Sequence, residues 1–233
     1  MKISILIPVY NEAPSISALI NRVVTVNTHP IEKEIIIIND GSTDQLEEKL
    51  LPHTLNITHY LSYPKNMGKG HALRMGAEKA TGDILLVQDA DLEYYPDDYK
   101  KLIAPFSDEN VDVVIGYRTL NNISKNYFFS PYFLGGRSIN FFFNIISNRK
   151  IKDIHSGYKL IRKTHWDKLK LESNGFNFCH EFILKSTLNN FKIKEIPIKY
   201  FPRSFKDGKK IRIKDGFIAI KTMIIIYFKF KFS

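Results

Sequence analysis

Ile84-Leu85-Leu86-Val87, followed by Gln88-Asp89-Ala90-Asp91-Leu92-Glu93, decides the fold: a continuous apolar run stops where acidic residues arrive at every second position. Bounded in front by Thr81-Gly82-Asp83, such a run reads as a strand buried on both faces of a parallel sheet. In an open α/β sheet, ligands bind outside the carboxyl ends of the strands. Two carboxylates one residue apart share a face, and on the bend after a strand they can converge on one hard cation, or on a diphosphate through it. That is a costly place for two negative charges unless a cation neutralises them. Alone, an Asp-x-Asp pair fits a solvated acidic turn as well, so its neighbours decide.

Upstream, the pattern of strand, polar loop and helix occurs repeatedly. Ile3-Ser4-Ile5-Leu6-Ile7 is a strand stopped by Pro8-Val9-Tyr10-Asn11-Glu12, and Pro14 pre-sets a helix carrying Ile16, Leu19, Ile20 and Val23 at helical spacing. Glu34-Ile35-Ile36-Ile37-Ile38 runs into Asn39-Asp40-Gly41-Ser42-Thr43-Asp44, where Ser42 and Gln45 have capping-box spacing. The succession predicts parallel βαβ units with right-handed crossovers. A third strand near residues 57–61 leads to Lys65-Asn66-Met67-Gly68-Lys69-Gly70-His71 and a helix through Ala72, Met75, Ala77 and Ala80. This loop is not a P-loop, because Tyr63 stands where the first Gly belongs and Gly70 replaces Ser or Thr. The first loop, with no Gly between Pro8 and Glu12, lacks the dinucleotide fingerprint.

Downstream, Pro96-Asp97-Asp98-Tyr99 starts a helix, and Val111 to Gly116 forms a fifth strand ending at Tyr117-Arg118. Residues 127–146 are rich in aromatics around Gly135-Gly136-Arg137, and Phe141-Phe142-Phe143 cannot all face one core from one helix. Part of this stretch is core; the rest predicts exposed aromatic surface for lipid or an apolar acceptor. Asp153-Ile154-His155-Ser156-Gly157-Tyr158-Lys159 precedes a short strand and a helix from Thr164, and Gly175-Phe176-Asn177-Phe178-Cys179-His180-Glu181 precedes another helix. Residues 193–200 form a strand with Pro197 inside it, hence an edge strand. The chain closes with a basic loop from Arg203 to Lys210 and an amphipathic, basic helix from Asp215.

The 233 residues suffice for one large α/β domain, with no linker or internal repeat to divide them. The single Cys179 excludes an intramolecular disulfide and fits a reducing compartment, as a small core residue. Met1-Lys2-Ile3-Ser4 enters a strand directly, without a targeting signal, and no apolar run approaches the roughly 18–20 residues of a membrane span, so a cytoplasmic protein is expected. The net charge of +10, concentrated late in Lys206, Lys209, Lys210, Arg212, Lys214, Lys221, Lys229 and Lys231, calls for an anionic partner. A nucleic-acid binder is disfavoured: the cations lie beside aliphatic and aromatic segments without a recognition motif, and three acidic loop ends repel phosphate unless a divalent metal intervenes.

Taken in order, Pro8-Val9-Tyr10-Asn11-Glu12, Asn39 through Asp44, Lys65 through Gly70, Gln88-Asp89-Ala90-Asp91, Ser156-Gly157-Tyr158-Lys159 and Arg203 through Lys210 resemble the family 2 glycosyltransferases. The likeness is strongest to the polyprenyl-phosphate sugar synthases and covers essentially the whole chain. It implies a GT-A fold: a Rossmann-like, mostly parallel sheet flanked by helices in a single domain over 1–233. Residues 1–118 are then the nucleotide-sugar-binding half and 119–233 the acceptor-binding half with its basic C-terminal segment. By this resemblance Pro8, Tyr10, Glu12 and Asp40 hold the base and ribose of the donor, with Lys69 and Ala90 in the same donor set. Physical chemistry permits carboxylates there, although Glu12 also fits a helix cap. Asp89 and Asp91 would ligate Mg²⁺ or Mn²⁺ bridging the diphosphate, with Glu93, where relatives carry Gln, joining the shell. Arg203, Lys209 and Lys210 resemble the late basic loop that closes on the donor phosphates, a role for which a planar guanidinium is suited. Lys209 and Lys210 also fit a solvated basic run. Arg118 and Arg137 match arginines that contact the acceptor phosphate.

The expectation is therefore inverting, metal-dependent transfer of a sugar from a UDP- or GDP-linked donor to a polyprenyl phosphate, by a peripheral enzyme at the cytoplasmic face of the inner membrane. A phosphate acceptor is already nucleophilic at neutral pH. A saccharide hydroxyl acceptor would need a carboxylate base, for which Glu181 and Asp153 are the candidates; a helix-start carboxylate and a turn residue are their plain alternatives.

Overall fold

In the computed structural model, which describes residues 1–119, 131–203 and 213–232, the run Ile84–Val87 is a strand buried at every position. In chain order the elements are β1 (Lys2–Val9), α1 (Ala13–Thr25), β2 (Glu32–Asp40), α2 (Leu46–Leu50), β3 (His59–Tyr63), α3 (Lys69–Lys79) and β4 (Ile84–Val87). They continue with α4 (Tyr99–Ile103), β5 (Val113–Arg118), α5 (Pro131–Ser147), β6 (Lys159–Arg162), α6 (Lys163–Leu169), α7 (Phe178–Leu188), β7 (Ile193–Ile198) and α8 (Ile213–Lys231). The sheet order is β3-β2-β1-β4-β6-β5-β7. Every pairing is parallel except those of β6, which lies antiparallel between β4 and β5. The carboxyl ends of β1, β2 and β4 therefore open on one edge, and their loops meet there.

Alternate residues of the central strands feed two cores. Ile3, Ile5 and Ile7 join Ile16, Leu19, Ile20, Tyr99 and Leu102 on one face. Leu6, Ile36 and Ile38 join Leu73, Phe178, Phe182 and Phe143 on the other. This is the period-two division of a sheet covered on both sides.

Several sequence expectations are met, and some are corrected. The helix after Pro14 buries Ile16, Leu19, Ile20 and Val23, and β7, which contains Pro197, is an edge strand. The third strand starts at His59, two residues late, because Thr58 turns its hydroxyl to the backbone N–H of Ile35 (3.1 Å). Ser42 and Gln45 do not form a capping box. Ser42 Oγ accepts from Asn11 N–H (3.0 Å), and α2 begins at Leu46 without a side-chain cap. Nor does Glu12 cap α1 with its side chain; Asp44 Oδ2 takes the Ala13 N–H at 2.8 Å.

Helices α5 and α8 pack together beside α7. As the Phe triplet predicts, Phe143 is fully buried while Phe141 is 68% exposed. On α8, Ala219, Met223 and Ile226 face inward, and Phe217, Ile218, Ile225 and Phe228 face out. Among the described residues no helix is long and apolar enough to cross a membrane.

Candidate active site

The bend after β4 starts from a fixed point. Gln88 is buried, its carbonyl oxygen taken by the hydroxyls of Tyr99 and Tyr158 (2.8 Å each) and its amide donating to Asp89 O (2.8 Å). Leu92 adopts φ 61°, a left-handed conformation unusual for a branched side chain, and Glu93 N–H closes on Asp91 Oδ1 at 3.1 Å. The two aspartates are thus presented together, and each meets a cation from another element. Lys69, in the first turn of α3, pairs with Asp89. Arg203 places Nη2 3.2 Å from Asp91 and grips Glu12 with both Nη atoms, at 2.9 and 3.0 Å. Loops of β1, β4 and the 200–203 segment thereby converge on one acidic site.

The electrostatics follow from this crowding. Burial, then the charges of Asp89 and Glu93, push the Asp91 carboxyl up to about 7 against the opposing pull of Arg203. Burial works against the Lys69 ammonium, but Asp89 outweighs it and its pKa rises. Arg203 behaves alike: burial opposes its charge, and Glu12 and Asp91 more than restore it.

The flanking loops are laced to one another. Asn11 Oδ1 accepts from Thr43 N–H (2.8 Å), tying the loop after β1 to that after β2. Asp40 spends both oxygens on the backbone N–H groups of Met67 and Gly68, at 2.8 Å each. Gly41, at φ 72°, has no room for a side chain, because a Cβ would lie 2.6 Å from Asn66 N. The loop before α3 is so pinned, and Lys69 with it.

The expected site residues therefore fall into distinct groups. Asp89, Asp91, Lys69, Arg203 and Glu12 come together, with Glu12 holding Arg203. Pro8 and Tyr10 lie at the rim, Tyr10 exposed. Ala90 is buried, and its carbonyl accepts from Ser15 Oγ at 2.7 Å. Asp40, placed in the donor set by sequence, is buried and clamps the loop before α3. Glu93, expected in the metal shell, is near enough to act on the Asp91 charge, and its carboxylate accepts from Arg203 N–H (2.7 Å) and Tyr200 OH (3.1 Å). Arg118, expected on the acceptor phosphate, is locked by Nε (2.7 Å) and Nη2 (2.9 Å) onto Asp153 and lies over the Tyr200 ring. Neither base candidate is open. Burial opposes the Asp153 anion, yet Arg118 holds its pKa well below the carboxylate range. Burial likewise opposes the Glu181 anion, but Lys185 and the N–H groups of Glu172 (2.9 Å) and Ser173 (2.7 Å) lower its pKa. Both carboxylates are thus engaged by protein groups in this structure. Arg137 is exposed on α5, and Lys209 and Lys210 lie outside the described residues.

Sequence reading missed the role of Gly157. A Cβ there would stand 3.2 Å from Asp89 Cγ, closer still to Asp89 Oδ2, and 2.9 Å from Tyr94 Cε2. Its N–H donates to Tyr94 OH at 3.0 Å. The Ser-Gly-Tyr-Lys motif was visible, but its approach to Asp89 is a long-range contact that only the antiparallel insertion of β6 creates.

The donor set suits a hard divalent cation. Asp89 and Asp91 offer oxygen ligands only, and a cation there removes the penalty of burying Asp91 as an anion beside its neighbours. Among the described residues no three His, Cys, Asp or Glu side chains form a complete cage. The pair provides part of a shell, leaving the remainder to substrate oxygens and water.

The glycosyl transferase family 2 pattern matches residues 4–169. The chain is 26% identical over 225 residues to the low-salt glycan biosynthesis hexosyltransferase Agl6 of Haloferax volcanii, covering 96% of this chain and 53% of that protein. It is 28% identical over 225 residues to a dolichol-phosphate mannosyltransferase of Pyrococcus furiosus, covering 90% and 59%. The chain thus spans somewhat over half the length of these two relatives. Against a dolichyl-phosphate beta-glucosyltransferase, ALG5A of Trichomonas vaginalis, identity is 26% over 237 residues, covering 96% and 72%. Among solved structures, glucosyl-3-phosphoglycerate synthase of Mycobacterium tuberculosis, crystallised with Mn²⁺, UDP and phosphoglyceric acid, superposes with a TM-score of 0.71 at 16% identity, covering 96% of this chain and 76% of that one. That likeness shows the shared fold, the GT-A arrangement expected from sequence. With the matched pattern spanning well over half of its residues, the chain belongs to glycosyl transferase family 2.

Proposed function

We propose that the protein transfers a sugar, with inversion, from a nucleoside-diphosphate sugar to a polyprenyl phosphate. The observation that carries the choice of acceptor is the sequestration of both base candidates, Asp153 on Arg118 and Glu181 on Lys185. A hydroxyl acceptor needs a base, whereas a phosphate monoester attacks at neutral pH without one. The named relatives that act on dolichyl phosphates support the same reading.

In this account Asp89 and Asp91 hold Mg²⁺ or Mn²⁺, which when bound neutralises charge on the donor diphosphate. Lys69 and Arg203 bring positive charge to the place where the leaving nucleotide gains negative charge. Glu12 and Glu93 aim Arg203, and Asp40 fixes the loop bearing Lys69. Pro8 and Tyr10 border the nucleoside, and Arg137 meets the acceptor phosphate. An acceptor oxygen forms its bond to the anomeric carbon as the bond to the diphosphate breaks on the opposite face.

The outward faces of α5 and α8 form the membrane contact. Phe141 and Ile145 on α5, with Phe217, Ile225 and Phe228 on α8, are exposed, and Lys214 and Lys221 are exposed beside them. Apolar groups dip into a bilayer while lysines meet anionic headgroups, each worth about 1 kcal/mol near the surface. The enzyme then works peripherally, at the cytoplasmic face, where its donor is found.

A thermal-shift panel of nucleoside diphosphates with and without Mn²⁺ tests the donor site. A ligand at 100 times its Kd stabilises by about 2.7 kcal/mol. The expected result is stabilisation by one diphosphate only when Mn²⁺ is present; equal stabilisation without metal counts against it.

A further inference from the structure

Residues 153–157 form a strap joining the end of β5 to the acidic site, and two histidines fasten its middle to neighbouring helices. At one end, Asp153 takes Nε and Nη2 of Arg118 and the N–H of His155 (3.1 Å). At the other, Gly157 donates to Tyr94 and lies against Asp89. Between them, His155 Nε2 stands 2.9 Å from the carbonyl oxygen of Gly136 in α5, and His155 Nδ1 stands 3.1 Å from His180 Nε2 in the first turn of α7.

With both rings neutral, one proton arrangement satisfies both contacts. A carbonyl only accepts, so His155 Nε2 carries the hydrogen and its Nδ1 is a lone pair, which accepts from His180 Nε2–H. His180 Nδ1 is then a lone pair as well, buried without a hydrogen-bond partner. Burial lowers the pKa of both rings, which keeps them neutral as this pattern requires.

Gly136 is the residue before Arg137. We infer that His155 and His180 are positioning residues, a rigid imidazole spacer that sets the distance between the α5 turn bearing Arg137 and the strap that abuts Asp89. This rests on the reading above in which Arg137 meets the acceptor phosphate. Imidazole suits the task because it donates from one edge and accepts at the other without a rotatable bond between. An aliphatic side chain fills the space and makes neither bond. A misplacement of about 1 Å between reacting groups costs about 10²-fold in rate. The donor side is insulated, because Gly157 is held by Tyr94 and Asp153 by Arg118 independently of the imidazoles.

The test compares His155→Leu with His155→Gln, whose amide can still donate to Gly136. With Mn²⁺ and donor saturating, His155→Leu is expected to lower kcat about 100-fold and raise KM for polyprenyl phosphate. Affinity for the Mn²⁺–nucleoside diphosphate should stay within about twofold, and His155→Gln should recover about tenfold of the loss. Hydrogen exchange should quicken in residues 134–147 of α5 but not in β1 or β4, and ring ¹⁵N shifts of the wild type should report two Nε2–H tautomers. The proposal is overturned if exchange in α5 is unchanged, if donor affinity falls as far as turnover, or if Leu and Gln variants are equally impaired. Should the wild type not use lipid phosphate at all, the functional reading fails alone, and α5 exchange with the ring tautomers still decides whether the spacer exists.

Discussion

Gly157→Ala adds a single methyl group and perturbs the acidic site without replacing any of its charged residues. The new methyl would lie 3.2 Å from Asp89 Cγ, 2.9 Å from Tyr94 Cε2 and deeper still into Asp89 Oδ2. Ordinary contact needs more than 3 Å to carboxylate oxygen, so Asp89 must retreat by about 1 Å or the strap must lift by as much. Tyr94 is buried and hydrogen-bonded to Gly157 N–H, so the strap resists lifting and the carboxylate moves. Lys69, paired with Asp89, is drawn along. A displacement of that size predicts about a 10²-fold loss of turnover and a comparable loss of Mn²⁺-dependent nucleotide affinity. Titration calorimetry of nucleoside diphosphate with Mn²⁺, beside thermal unfolding in EDTA, separates site damage from misfolding. Full metal-dependent affinity in a folded Gly157→Ala protein would refute the placement of Asp89 in the site.

Arg203→Ala should lower kcat more than donor affinity, since the guanidinium acts as charge develops on the leaving group; a rise in KM alone would make it a binding residue only. Asp91→Asn should abolish metal-dependent diphosphate binding while leaving the unfolding midpoint in EDTA unchanged or higher, because it removes a carboxylate that burial disfavours. Glu34, at the opposite end of the sheet, is buried among Ser4, Lys2, Thr81 and Gly82. Burial alone would raise its pKa, but these partners lower it from 4.5 to about 2. Its contribution is therefore present above the unfolded pKa and lost as pH falls from there toward 2. Denaturant melts of wild type and Glu34→Gln should differ at pH 7 and converge at acid pH; a constant difference would contradict the assignment. Lys214→Glu with Lys221→Glu should reduce sedimentation with anionic liposomes at low salt, and unchanged sedimentation would remove α8 from the membrane contact.

The fold was legible wherever the signal was local. Apolar runs ending in polar, acidic loops pointed to β1, β2 and β4 and the edge on which they open, and Pro197 to the edge strand. The antiparallel β6 was not, because four residues carry no sign of direction and its place between β4 and β5 is a long-range pairing. At the site, residue types revealed the cluster but not the partners within it. Glu12, Asp40, Glu93 and Arg118 each have the chemistry for a ligand, and each is engaged by a protein group distant in sequence. Gly157 and the histidine pair were hidden for the same reason: contacts across 68, 19 and 25 residues leave no local pattern.

The most direct test of the account is transfer itself: purified protein, Mn²⁺, a radiolabelled UDP- or GDP-sugar and a short polyprenyl phosphate, followed by partition into organic solvent. The account predicts label in the lipid phase, released by mild acid as the free sugar and abolished by EDTA or by Asp91→Asn. Label that stays aqueous, while a saccharide hydroxyl acceptor is glycosylated, would contradict it.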